Sequence, residues 1–298
     1  MTSPGTTGQQ VVDDLVTLLD LERIELTIFR GISPPVALQR VFGGQVAGQA
    51  LVAAGRTVDA ERRVHSLHAY FIRGGDPGVP IVYTVDPVRD GRSFSVRRVV
   101  AVQHGKAIFT LSASFQAEQL GLDAASPMPD VPGPEELPTL DERFAQFPEG
   151  AWRATLPRPF DMRYVDDPPW ARTGAVRPQR IWMRAAGRLP DNPLTHVCAL
   201  TFASDLTLLE AVLVAQGLAF GADNVLAASL DHAMWFHRPF RADEWFLYES
   251  SSVSASGSRG LASGRIFSAQ GGHLATVMQE GLIRLESPAF PDDGRPAP

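Results

Sequence analysis

The sequence has a single cysteine. Cys198 alone among 298 residues excludes an internal disulfide framework and any site built from several thiolates. It stands in an apolar run, where a thiol behaves as an inert core group. Glycine is plentiful, at 26 residues, yet no two glycines stand at positions i and i+2. The G-x-G-x-x-G dinucleotide fingerprint is therefore absent, and so is a P-loop. No serine sits in G-x-S-x-G, which excludes a nucleophile elbow. Positive charge is also short. The net charge is −6 and no block of Lys and Arg interrupts it, so no basic field draws the chain to nucleic acid or anionic lipid. No uninterrupted apolar stretch is long enough to span a bilayer. The opening residues, "MTSPGTTGQQVVDDLV", lack the basic and apolar regions of a secretory signal. The expected compartment is the cytoplasm.

What is present is apolar and repetitive. Hydrophobic residues make up 44% of the chain, enough for a large core. "FASDLTLLEAVLVAQGL", from Phe202, reads as a helix apolar on nearly every face. It opens with Ser204 and Asp205, both good N-cap types, and closes at Gly217, a good residue just past a helix end. The plain reading of Asp205 is a capping carboxylate. Apolar sequence on both sides of it also makes a buried helix start with free N–H groups, which suits an anion or a carbonyl.

The elements around this helix occur twice. "VFGGQVAGQALVAAGRTV" is a small-residue helix, followed by the strand "HSLHAYFIRGG" and a strand pair turning at His104-Gly105. After the helix at Asp205 comes the strand "LAASLDHAMWFHRPF", then a strand pair turning at Gly271-Gly272. Matching Arg73 to Arg238 gives an offset of 165, and Gln103 to Gln270 gives 167. The chain reads as two copies of one unit, at 10–118 and 158–288. The intervening 119–157 is a linker rich in Pro and acidic residues. Its stretch "SPMPDVPGPEELPTL" can neither form a regular helix nor pair inside a sheet. Tight turns make the strands antiparallel, and an all-round apolar helix needs a curved sheet wrapped about it. The fold class is α+β.

Few polar residues fall where the pattern is apolar. Alternation from His273 puts Gln279 on the inward face of the last strand; a satisfied core amide is the plain alternative. Ser229 is an ordinary strand hydroxyl by itself. Asp231 and His232 are adjacent and could serve as a general base, although a hydrogen-bonded structural histidine explains His232 as well. His65 and His68 are separated by an odd spacing in a strand, which puts them on opposite faces; His232 and His237 fail as a pair for the same reason. No metal is expected. Aligning Phe42 with Phe202 sets Gln45 opposite Asp205, and an offset of 167 sets Ser112 opposite Gln279. Only the second unit carries the acid, which suggests one site per chain.

"LQRVFGGQVAGQAL", "RDGRSFSVRRVVAVQHGKAIFTLSASFQ", "FASDLTLL", "DHAMWFHRPF" and "MQEGLIR", in this order, resemble the acyl-CoA thioesterase II family over most of the chain. The resemblance implies a double hotdog, two tandem sheets each wrapped around a long helix. It implies hydrolysis of fatty acyl-CoA to fatty acid and coenzyme A without a cofactor, and assembly into a homo-oligomer. An Asp, a Thr or Ser, and a Gln aim the attacking water in that family, and these fall on Asp205, Ser229 and Gln279. Ser229 departs mildly, since Thr is common there. The phosphates of coenzyme A call for cations, for which Arg92, Arg97, Arg98, Arg238 and Arg259 are candidates, with His232 a further substrate contact. Two other readings stay open: a hotdog enoyl-CoA hydratase or dehydratase using His232, and a non-catalytic acyl-CoA binding protein.

Overall fold

The computed structural model describes residues 8–34, 39–147, 158–171, 178–220 and 225–285. The first unit contains α1 (Gln9–Leu19), β1 (Glu22–Glu25), β2 (Ile28–Gly31), α2 (Gly43–Gly55), β3 (Arg62–Phe71), β4 (Ile81–Asp90), β5 (Phe94–Gln103) and β6 (Lys106–Ala117). Between the units lies α3 (Leu140–Gln146). The second unit has β7 (Phe160–Tyr164), β8 (Gln179–Ala185), α4 (Pro193–Ser204), α5 (Glu210–Val214), β9 (Val225–Ser229), β10 (Asp231–Phe236), β11 (Phe246–Ser256), β12 (Arg259–Ser268) and β13 (His273–Leu285).

The strands form one antiparallel sheet in the order β1-β2-β4-β5-β6-β3-β10-β13-β12-β11-β8-β7, with β9 on β13. The order is symmetric about the β3–β10 seam. There Asp231 pairs with Tyr70 and Trp235 with Ser66, so an offset of 165 maps the seam onto itself. Outward from it, His68 pairs with Ser112 and Ala233 with Met278, which raises the offset to 166 on β13. Val64 then matches Ser229, because Val64 pairs with Phe115 and Ser229 with Gly281. Gln279 matches Ala113, one residue beyond the Ser112 that the sequence repeat had set opposite it.

α2 touches β2, β3, β4, β5 and β6, as a helix within a wrapped sheet must. Every residue from Gly44 to Ala54 is buried. α2 and α4 pack against each other at close range: a Cβ on Gly44 would come within 2.6 Å of the Phe202 carbonyl oxygen, and one on Gly48 within 3.3 Å of that of Cys198. Two glycines four apart thus open one face of α2 to the backbone of its neighbour.

The helix expected to begin at Asp205 is in two pieces. α4 ends at Ser204, Asp205 is its C-cap at φ −87°, and α5 follows after a run of turns. The capping signal of Ser204 and Asp205 therefore marks a break within a longer apolar helix rather than a start. Apolarity all round gave no sign of where the axis would break. Gly217 does take the left-handed conformation beyond α5, at φ 73°, with the Leu218 N–H reaching back to the Leu213 carbonyl at 3.0 Å. Phe42 and Phe202 are not equivalent positions. Their rings pack edge-to-face at 5.0 Å, with Phe42 capping α2 and Phe202 near the end of α4.

Two further departures follow from local backbone irregularity. The ladder slips between Val64 and Ser66, so His65 is bulged outward. It bonds the outward Ser114 hydroxyl at 2.8 Å, on the same face as His68 and not on the opposite one. The strand around Ser229 is also two strands, broken at Leu230, whose N–H meets the Glu280 carbonyl at 2.9 Å. The Pro-rich segment contributes no strand among its described residues, although α3 begins at its last residue, Leu140, behind a Thr139–Glu142 capping box. It lies on the outer face of the second half-sheet: Met128, Val131 and Leu137 pack with Trp182, Leu247 and Phe267, and the Trp182 N–H donates to the Pro132 carbonyl at 2.9 Å.

Candidate active site

Three polar side chains meet where the α4–α5 break faces β9 and β13. Gln279 is fully buried, and its amide nitrogen donates to the Asp205 carboxylate at 2.6 Å and to the Ser229 hydroxyl oxygen at 3.0 Å. The Ser229 hydroxyl and the Gly44 N–H also donate to Asp205. Each member comes from a different element. The break turns Asp205 inward, the kink at Leu230 brings Ser229 opposite Gly281, and strand alternation aims Gln279.

The Gly44 donor belongs to the first unit. It lies in the first turn of α2, where backbone N–H groups have no intrahelical partner and the helix dipole is positive. A Cβ on Gly43 would come within 2.7 Å of an Asp205 oxygen. Only a glycine pair lets the α2 start come this close, so "FGG" is what brings the first unit to Asp205. Its signal in the sequence was the two glycines opening an otherwise good helix.

Burial pushes the Asp205 carboxyl up to about 6, against the lowering effect of the Gln279, Gly44 and Ser229 hydrogen bonds. Burial wins because every donor is neutral. The result is a carboxylate that is ionised at neutral pH and close to its titration range, which suits a general base.

Asp231 and His232 do not pair. The Asp231 carboxylate accepts the Glu280 N–H at 2.7 Å, and the His232 Nε2 lies 2.9 Å from the Ser204 hydroxyl oxygen. Burial holds the His232 imidazole down to about 4, hence neutral. Of the arginines, Arg97 is buried and tied to Asp90 at 2.8 Å and to the Thr57 carbonyl at 3.0 Å. Arg98 is exposed and bonds Asp86 at 2.7 Å, and Arg92 is exposed on the β4–β5 turn. Arg238 donates to the His273 carbonyl at 2.7 Å and pairs with Asp123. Arg259 bonds Glu280 at 3.0 Å, beside Gln279 in sequence and at the Ser229 end of the sheet. The structure thus brings Asp205, Ser229 and Gln279 together and leaves the cations dispersed. Among the described residues no three His, Cys, Asp or Glu side chains gather as a metal site, and no helix is long and apolar enough to cross a membrane.

Two tandem units joined at a strand seam, each with its sheet against a central helix, define a double hotdog. Comparison with known proteins agrees. Residues 32–116 match the family described as acyl-CoA thioesterase N-terminal domain, and 158–282 match the acyl-CoA thioesterase family. Human acyl-coenzyme A thioesterase 8 is 41% identical over 286 residues, covering 91% of this chain and 89% of that protein. Acyl-CoA thioesterase 2 of Haemophilus influenzae is 38% identical over 282 residues, 92% of this chain and 98% of that protein. The crystal structure of an acyl-CoA thioesterase II from Mycobacterium marinum is 45% identical with a TM-score of 0.76, covering 93% of this chain and 100% of that one. The chain belongs to the acyl-CoA thioesterase family. It is an enzyme that hydrolyses acyl-CoA.

Proposed function

We propose that the substrate is a fatty acyl-CoA and that Asp205 is the general base for direct attack by water. The observation that carries this is the Gln279 amide bonded at once to Asp205 and Ser229, at 2.6 and 3.0 Å. In this reading Asp205 takes a proton from water while Ser229 and Gln279 hold the water and the carboxylate in line. The water oxygen bonds the thioester carbonyl carbon, and the first turn of α2 offers N–H groups to the developing oxyanion. Collapse breaks the C–S bond, and the proton on Asp205 passes to the departing thiolate. The products are a fatty acid and coenzyme A, and every atom is accounted for without a covalent acyl-enzyme. The absence of a nucleophile elbow in the sequence supports the same route. The His232 Nε2 is turned to Ser204 and burial lowers its basicity, which counts against a hydratase that would use it as a base. We assign Arg259, at the triad's end of the sheet, a contact with the coenzyme A moiety in preference to the buried Arg97.

The test is a single turnover in ¹⁸O-water with enzyme in excess. Direct attack places solvent oxygen in the fatty acid in the first turnover. An anhydride on Asp205 would deliver unlabelled enzyme oxygen and would remove the general-base assignment. A chain-length series of acyl-CoAs, read by thiol release, tests the fatty acyl assignment; a rate confined to the shortest acyl groups would overturn it.

A further inference from the structure

Behind Asp205 lies a second polar cluster that the reaction above does not use. Ser204 precedes the base and is buried. Its hydroxyl lies 2.9 Å from the Thr201 carbonyl, 2.9 Å from the His232 Nε2 and 3.4 Å from the Met234 sulfur; with its one proton directed to Thr201, the imidazole is the donor to its oxygen. The Ser204 carbonyl accepts the Tyr248 hydroxyl at 3.1 Å. Both ends of residue 204 are therefore held by side chains of the sheet, one from β10 and one from β11.

The cluster is costly, and the first unit does without part of it. His232 Nδ1 is buried with no partner in the structure, a state that costs stability because the group gives up its hydrogen bond to water. At the matching position, 165 residues earlier, stands the fully buried Leu67. Tyr248 does have a polar counterpart in Tyr83, but that hydroxyl donates to the Gln49 side chain at 2.7 Å, in the middle of an unbroken helix. The histidine and the grip on a helix-end carbonyl occur only in the unit where the helix breaks beside an acid. Tyr248 also senses that acid: burial first, then the Asp205 charge, pushes its phenol well above the usual range.

We infer that His232 and Tyr248 are positioning residues that clamp Ser204 and thereby fix the Asp205 carboxylate against Gln279 and Ser229. The inference rests on Asp205 being the base. A helix that ends without a C-terminal glycine has no intrinsic direction for its next side chain, and C-terminal carbonyls need outside donors. The clamp supplies both the donor and the direction.

The experiment compares His232→Leu, His232→Gln, Ser204→Ala and Tyr248→Phe, each alone and the second-last also in Asp205→Asn. Thiol release gives kcat and KM, and circular dichroism reports the fold. His232→Leu and Ser204→Ala are expected to lower kcat by about tenfold to a hundredfold, the range for a misplaced group, with KM within about twofold. Tyr248→Phe falls in the same direction by less. His232→Gln keeps an N–H near the Nε2 position and restores most of kcat. In Asp205→Asn there is no base left to aim, so Ser204→Ala leaves the residual rate unchanged. An equal further loss in that background means general damage and overturns the clamp, as does a change confined to KM or a His232→Gln variant as slow as His232→Leu. If His232→Leu does not fold, Ser204→Ala, which removes one oxygen, reads the same contact. Wild-type turnover in Asp205→Asn alone would instead remove the base assignment, and the clamp with it. An inactive Asp205→Asn beside fully active His232→Leu and Ser204→Ala would overturn the clamp only.

Discussion

The two halves of this chain share a sheet and differ in how they use it. At the inward positions where the second unit carries Ser229 and Gln279, the first has Val64 and Ala113, both buried. The second unit breaks its central helix at an acid; the first keeps α2 whole and sends its N-terminus across to that acid. In the proposed reading, duplication yields one site with a contribution from each copy: the base, hydroxyl and amide from the second, and a backbone donor from the first. On that reading the need for Gly43 and Gly44 where α2 meets Asp205 constrains the first unit by chemistry it does not itself carry out.

The comparison is broken most directly by Asp205→Asn, which keeps the shape and removes the proposed base. The rate is expected to fall by roughly 10²–10⁴-fold, read as kcat at saturating acyl-CoA. In the wild type, kcat should rise with pH through about 6, following the ionisation of Asp205. A rate flat from pH 5 to 8, in the absence of another rate-limiting step, would argue that some other group is the base.

Gly44→Ala tests the contribution of the first unit. The new Cβ would lie 2.6 Å from both the Phe202 carbonyl oxygen and the Phe42 ring, and backbone on one side cannot yield cheaply. The α2 start must retreat from Asp205. We expect a loss in kcat of about a hundredfold, in keeping with a small misplacement at a reacting centre, and a stability loss of about 1–3 kcal/mol from overpacking. Stability lost with kcat intact would mean that the α2 N-terminus packs beside the site without serving it.

Gln279→Ala removes the amide that ties base to hydroxyl. Turnover should fall by about 10–10² with KM little changed, the signature of an interaction realised in the transition state. A change in KM alone would make Gln279 a ground-state contact.

Much of the scaffold was legible because it is written in periodicity. The two strand pairs, their turns and the inward aim of Gln279 follow from alternation and glycine placement. The break at Asp205 was not legible, because residues from His196 to Val214 are mostly apolar and no Pro or Gly interrupts them. The capping residues pointed to a boundary but not to its direction. The match of Gln45 to Asp205 failed for the same reason: a fixed offset holds along paired strands, whose register is locked by hydrogen bonds, and not along helices of unequal length. The bulge at His65 was likewise invisible, since a bulged residue looks like any other. Gly44 escaped notice as a donor because its partner lies about 160 residues away in sequence and its contact is made by backbone.

The buried acid of the second unit should also weaken it. The Asp205 carboxyl lies at about 6 in the folded chain against 3.8 for a free carboxyl, with burial the leading cause. The folded state therefore holds the proton more tightly, so the stability contributed by the protonated form is fully present below about pH 4 and is lost as pH rises through about 6. Asp205→Asn has no such loss. Relative to the wild type it should gain up to about 3 kcal/mol between about pH 4 and pH 7, measured by denaturant unfolding at each pH. A constant difference across that range would mean that Asp205 is not desolvated.

The smallest catalytic effect is expected at Gln45, the residue that a simple repeat sets against Asp205. Its amide nitrogen bonds the Ser33 hydroxyl at 2.9 Å and approaches the Ile32 carbonyl at 3.4 Å, so it fastens α2 to the segment after β2. Gln45 is buried, and Gln45→Ala leaves those acceptors short of a donor, at a cost of about 1–3 kcal/mol in stability. It touches neither Asp205 nor Gln279, so kcat should stay within about threefold of the wild type, a shift below 1 kcal/mol in the barrier. The contrast with Gly44, one residue earlier in the same helical turn, is the sharp form of the comparison between the halves. If Gln45→Ala abolished turnover with its fold intact, the first unit would be contributing chemistry through a side chain, and the assignment of all three reacting side chains to the second unit would fall.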